Sequence, residues 1–432
     1  MKTSFIYSKI LAASLLLAFT FNACQDKCMQ TVRYWTNSPV TVTFTELRSG
    51  VGITAAQVLE KLGKIYVKDN YLFINELKKG IHIFDNTDPR NPIQLSFLKV
   101  PGNFDMAVKG NTLYADSYSD FVAFDISNPT QVKELNRIQG VFQSGQINGL
   151  DWFLKSDGTG IQDYKYELVT TTHDADCDQN SQYYGYGYTY ASYGATASSA
   201  SPSSSPSSSG TGGSTARFAV VNDFLYAVSS TTMQLFDIQT PASPKKSTAV
   251  NLGWGIETIF PYKDKLFIGS TTGMFIYDNV NPQKPTLISQ VNHFRACDPV
   301  VVEGNYAYVT LRNVNAGPCG SAPTNQLDVI DISNIKSPVL SKTYPMDSPY
   351  GLGIDRSTLF ICEGTNGLRT YNASNPLDLQ LNAYFKDLNS FDVIPLKGTL
   401  LMIGKDGLYQ FDYSDSKNLK LLSKIPVITP TT

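Results

Sequence analysis

Four carboxylates recur at one place in a repeating pattern, and their spacing is the first chemical signal in the chain. Asp105, Glu257, Asp298 and Asp392 each stand six or seven residues before a polar or glycine turn residue, namely Asn111, Asp264, Asn305 and Gly398. Trp254 and Tyr350 flank the same register. If the strands that start here are innermost, the acids converge on one axis, where like charges raise one another's pKa unless a cation sits among them. The expectation is a site for a cation or a positively charged ligand group. The competing reading gives each acid a local role, accepting backbone N–H groups in its own crossing.

Other chemistry is sparse. The histidines are His82, His173 and His293, and His82 reads as a packed strand residue within Ile81-His82-Ile83-Phe84. No HExxH, GxSxG, Walker A or GxGxxG pattern occurs, so no catalytic residue is assigned. Asp174, Asp176 and Asp178 start like a calcium loop, but Gln179 stands where the turn glycine belongs, so no metal or other cofactor is expected. Of six cysteines, Cys297 and Cys319 are expected to pair, with Cys362 buried as a small hydrophobe.

These residues must be positioned by a repeat. Strand-end residues Asp85, Asp125, Asp237, Asp278, Asp331, Asn372 and Asp412 are spaced 40, 112, 41, 53, 41 and 40 apart. A turn marker precedes each: Asn70, Asn111, Asp223, Asp264, Asn305, Ser357 and Gly398. The marker falls 14 or 15 residues earlier in every unit but the fifth, where it falls 26 earlier. The two long spacings are therefore insertions of 72 and 12 residues. With both removed, residues 64–427 reduce to 280, or seven forties. Apolar alternation and hairpin glycines give four short strands per unit, which predicts an all-β fold, a β-propeller of seven four-stranded antiparallel blades.

The units fall near 64–103, 104–140, 216–255, 256–297, 298–349, 350–390 and 391–427, with 141–215 inserted. The insertion holds a strand near 163–171, then Tyr/Gly-rich and Ser/Pro-rich tracts that read as a disordered loop. A sharper reading makes the tyrosines an adhesive or carbohydrate-stacking surface. Both insertions open on the face that carries the blade-to-blade crossings. Residues 24–63 read as a tether with one docked piece: a strand near 40–45 and a short helix near 55–62.

The N-terminus sets the compartment. Lys2 and Lys9 precede an apolar run at 10–21 and the sequence Phe21-Asn22-Ala23-Cys24, which reads as an export signal over 1–23. The site resembles the bacterial lipobox, a resemblance that implies a diacylglyceryl group on Cys24; ordinary cleavage nearby is the alternative. The expected address is the cell envelope, with lipid anchorage in the outer membrane, on its periplasmic or surface face, favoured over the inner membrane. The expected partners are the bilayer and an extracellular or periplasmic protein or glycan. Charge balance, 35 basic against 37 acidic residues, excludes nucleic acid as a partner.

The run Leu327-Asp328-Val329-Ile330-Asp331-Ile332-Ser333, with weaker copies around Asp85, Asp125, Asp237 and Asp278, resembles the LVIVD repeat. That resemblance implies a propeller-like protein of bacterial envelopes and carries no established reaction. The leading expectation is an envelope-anchored binding scaffold presenting loops on one face. The alternatives are a polysaccharide-acting enzyme using the channel-mouth carboxylates and a structural subunit of an envelope complex.

Overall fold

A computed structural model describes residues 27–147, 150–176, 214, 216–293, 299–313, 324–396 and 398–428. The protein is an all-β propeller-like fold. Each of the seven repeat units is one antiparallel sheet of four consecutive strands. Unit one, for example, comprises Leu62–Lys68, Tyr71–Glu76, Gly80–Asp85 and Ile93–Lys99. Its outer strand gains a fifth, Gly52–Thr54, from the preceding segment.

The repeat's two markers are joined by hydrogen bonds. The amide following each strand-end residue donates to the carbonyl of the turn marker, from Asn86 to Asn70 through Tyr413 to Gly398. The strand-end side chain meanwhile accepts from the amide two residues on: Asp85 from Thr87, Asp125 from Ser127, Asp331 from Ser333, Asn372 from Ser374. Asn372 keeps this turn without a charge because its amide oxygen accepts as a carboxylate does. The residue before the marker is left-handed in six units: Asp69, Gly110, Asn222, Lys263, Gly304 and Arg356 all have φ between 52° and 61°.

First strands pack on first strands. Leu62–Lys68 meets Met106–Lys109, which meets Phe218–Val221, and the sequence continues through Ile256–Tyr262, Val300–Glu303, Leu352–Asp355 and Ser390–Leu396. Units seven and one then meet through a shared core that includes Ile65, Leu72, Ile394 and Leu401. The first strand is therefore innermost, a point the sequence left open.

Every junction also carries a hydroxyl that donates to a backbone carbonyl in the next unit's outer turn. These are Ser96 to Pro129, Tyr114 to Pro241, Thr248 to Gln283, Ser289 to Ile335, Tyr344 to Pro376, Thr370 to Ser416 and Ser423 to Pro89, at 2.6 to 3.1 Å. The last of these closes the ring, beside a reciprocal amide pair between Asn86 and Gln410 at 3.0 and 2.7 Å.

An eighth sheet has no counterpart in the repeat. Its strand order is Lys27–Thr43, Gly160–Asp176, Leu150–Leu154, Ser144–Ile147, so it joins the N-terminal segment to the insertion. The chain divides into two compact units, 1–39 with 164–189 and 40–163 with 190–432, and the propeller lies within the second.

Two local expectations change here. The helix is Phe44–Ser49, not 55–62, because Thr43 and Glu46 form a capping box that starts it and ends the strand. Residues 55–61 contain no helix; Leu59 is buried and its carbonyl accepts from Ile428 beside the ring closure. The inserted strand also runs longer than expected, over Gly160–Asp176. Among the described residues, no helix is long and apolar enough to cross a membrane.

Candidate ligand site at the channel mouth

Asp105 enters the first strand of unit two and is buried. Its Oδ1 accepts from the Met106 amide at 2.7 Å, and its Oδ2 accepts from the Arg217 and Phe218 amides at 2.6 and 3.3 Å. The carboxylate thus bonds both its own strand and the entry of unit three. Burial raises its pKa, against the pull of Lys64 and the backbone N–H groups.

Asp392 holds the equivalent place in unit seven and is 1% exposed. Its Oδ1 accepts from the Ser214 hydroxyl at 3.1 Å, while its Oδ2 has no hydrogen-bond partner. Burial pushes this carboxyl well above the ordinary range, opposed by the Val393 amide, Ser214 and Lys64. Gly351, the equivalent residue of unit six, makes room for it. A Cβ there would stand 1.9 Å from Asp392 Oδ1, so no larger residue fits without displacing the acid.

Lys64 shows that the ring of first-strand residues converges. Burial lowers its ammonium to about 8; Asp105, Asp392 and Glu257 pull it upward, while Arg217 pushes it down. Groups from units one, two, three, four and seven therefore share one field. Glu257 is half-buried in Ile256–Tyr262. Beside them Asp116 accepts from Asn103 Nδ2 and the Phe104 and Asp105 amides at 2.9, 2.7 and 3.1 Å. Its carboxyl is nevertheless pushed up to about 7, because burial outweighs those bonds and Asp105 adds to the shift.

The aromatics expected at this site differ from one another. Trp254 is 61% exposed in the crossing from unit three to unit four. The loop around it is pinned on both sides: the Leu252 amide bonds Thr231, and the Thr271 amide bonds Gly255. Tyr350 is half-buried, with the Arg312 guanidinium 3.6 Å above its ring and Phe391 edge-on at 5.3 Å. Asp298, the Cys297–Cys319 pair and Cys24 lie outside the described residues.

The register places Ala216-Arg217 as the equivalent of these acids in unit three, but the spacing assigns neither Arg217 nor Lys64 a role. Both stand six residues before their turn markers, Asn70 and Asp223, in the register of the acids. Ser214 carried no signal within its Ser/Gly-rich context.

Elsewhere, His82 is fully buried, with Nε2 2.7 Å from Glu76 Oε2 and Nδ1 2.8 Å from Gln94 Nε2. Since Gln94 donates, Nδ1 accepts and Nε2 carries the hydrogen toward Glu76. Cys362 is a buried free thiol whose pKa burial raises. Among the described residues, no group of three His, Cys, Asp or Glu side chains is placed to hold a metal.

Comparison with known proteins agrees with this architecture. The LVIVD repeat matches residues 103–139, 295–315 and 322–345. No curated protein matches the chain. Among solved structures, the computationally designed Ika8 protein aligns over 86% of this chain and 87% of its own, at 8% identity and a TM-score of 0.50. Sqt1 of Saccharomyces cerevisiae aligns over 86% of each chain, at 9% identity and a TM-score of 0.49. Hsv2 of Kluyveromyces lactis aligns over 85% of this chain and 99% of its own, at 10% identity and a TM-score of 0.48. At 8% identity the likeness to the Ika8 protein is one of fold.

Proposed function

We propose that the protein is an envelope-anchored binding scaffold, held to the bilayer by lipid on Cys24 and presenting its ligand-binding surface on one propeller face. A repeat propeller suits binding because a rigid ring carries loops whose sequence is free to vary. The observation that supports this reading is the concentration of added structure on a single face. Tyr118, in a second-to-third strand hairpin, packs edge-on against Phe104 of a crossing, with ring centres 5.8 Å apart. Trp152 of the insertion lies 5.4 Å from Tyr118 and stacks over Phe104 at 6.3 Å. Leu47 of the short helix and Ile161 complete this cluster. The insertion starts beside this hairpin, where the Phe142 amide donates to the Ser119 carbonyl, and near its end the Ser214 hydroxyl donates to Asp392 of the channel mouth.

On this reading Asp105, Glu257, Asp298 and Asp392 receive a positively charged ligand group, with Trp254 and Tyr350 as neighbouring contact surfaces. The partner is an extracellular or periplasmic protein or glycan.

Anchorage is tested by fractionation. Cys24→Ser should move the full chain from the membrane to the soluble fraction, and unchanged membrane association would overturn the anchor. The scaffold role is tested by crosslinking the parent chain in its native envelope. A partner captured by the parent should be lost when residues 177–213 are replaced by a short Gly/Ser linker.

A further inference from the structure

At the channel mouth the acids bond to a short stretch of the chain itself. Ser214 leads into unit three, yet its hydroxyl donates to Asp392 of unit seven and accepts from the Leu352 amide of unit six, at 3.1 and 3.3 Å. In a ring of seven units, six and seven stand across the axis from three. The same short stretch is tied on its near side too. The Ala216 carbonyl accepts from Ile259 of unit four at 2.8 Å. The Arg217 amide donates to Asp105 of unit two. Ser214 is 1% exposed and Ala216 8% exposed. These few residues therefore span the axis and bond to units two, four, six and seven.

The groups that bind this stretch are those expected to bind an external cation. Asp105 takes two of its amides, Asp392 takes its hydroxyl, and the Arg217 guanidinium shares the field of Lys64. Asp392 Oδ2, buried with its carboxyl, is left without a hydrogen-bond partner beside the hydroxyl. An incoming group must replace several N–H donors and one positive charge together. A guanidinium does so, because it presents five N–H donors in a planar fork that matches a carboxylate.

We infer that Ser214, Ala216 and Arg217 form an internal plug that closes the channel mouth and competes with an external guanidinium-bearing ligand for Asp105 and Asp392. This rests on the channel-mouth reading given above. A closed majority state lowers the apparent affinity by the fraction of molecules that are open. Weakening the plug must therefore tighten binding.

The test uses the full chain and arginine amide as the probe, with binding read by titration calorimetry and plug motion by amide hydrogen exchange. Ser214→Ala removes both bonds across the axis and should tighten binding about tenfold, as expected for two modest hydrogen bonds. Ser214→Thr keeps the hydroxyl and should restore the parent affinity. In the parent, bound arginine amide should accelerate exchange at the Arg217, Phe218 and Leu352 amides. Equal affinity in the parent and Ser214→Ala, with binding lost in Asp392→Asn, would overturn the plug and leave the ligand site standing. No binding to either chain would overturn the site and the plug with it. If Ser214→Ala fails to fold, the exchange measurement on the parent decides alone: acceleration supports the plug, and unchanged rates with probe bound refute it.

Discussion

Removing the Asp120 carboxylate should be costly. It opens the third strand of unit two and is fully buried. It receives Arg48 Nε of the short helix at 3.0 Å, Arg137 Nη1 of the outer strand at 3.2 Å and the Gly140 amide at 3.1 Å. One carboxylate thus joins the N-terminal segment, a propeller strand and the end of unit two. Breaking a buried pair from one side typically costs about 3–5 kcal/mol, because the other charge is left uncompensated. Two features place Asp120→Ala near the lower end. Arg137 keeps Glu134 through two bonds of 2.8 and 2.6 Å, and the Arg48 side chain is 31% exposed, with Phe44 beneath its guanidinium.

The expected loss is therefore about 3 kcal/mol for Asp120→Ala and about 2 kcal/mol for Asp120→Asn, which still accepts from Gly140. A double-mutant cycle with Arg48→Ala should give a coupling of about 1 kcal/mol, since Arg48 supplies the more exposed of the two charged bonds. Urea unfolding of the full chain measures all three, and exchange in Phe44–Ser49 should rise in each variant. A cost below about 1 kcal/mol for Asp120→Ala, or zero coupling with Arg48, would refute this account of how the segment docks.

Arg356 sits exposed in the left-handed region with φ of 52°, where glycine pays no Cβ penalty, so Arg356→Gly should stabilise by about 0.5–1 kcal/mol. Thermal unfolding checks this, and a lower Tm would contradict it. Asp116 gives a pH dependence. Its folded pKa of about 7 stands above the ordinary 3.8, so the native state holds the proton more tightly than the unfolded chain. Stability from this group is complete below about pH 4 and falls until about pH 7. Asp116→Asn should therefore gain on the parent as pH rises through that window and keep a constant advantage above it. Parallel Tm curves across pH 4–8 would count against the burial of this acid.

The ring was legible in the sequence because its markers are local and used twice. The strand-end Asp caps a turn through its side chain, and the next amide reaches back to the marker some fifteen residues earlier. The side-chain cap therefore fixes the type of the strand-end residue, and the backbone bond fixes the marker's place in the turn. The eighth sheet left no comparable trace, since it pairs Lys27–Thr43 with Gly160–Asp176, far apart in the chain and with no repeated spacing. The helix lies at Phe44–Ser49 and not near 55–62, because the Thr43 and Glu46 capping box is what starts it. At the channel mouth the acids are visible as a periodic charge, while Lys64 and Arg217 hold the same register with the opposite sign and so break the pattern. Ser214 acts through its position across the axis, and only the closed ring creates that position.

Ring closure also changes how the repeat should come apart. An open array frays from its ends, where each terminal repeat has one neighbour and needs a special cap. Here the Ser423 hydroxyl donates to the Pro89 carbonyl as Ser96 does to Pro129, and unit one has a partner on both sides. No unit is terminal, so releasing any one sheet sacrifices two interfaces at once. Partial melting from an edge loses its cheapest route, and unfolding of the seven sheets becomes correspondingly cooperative.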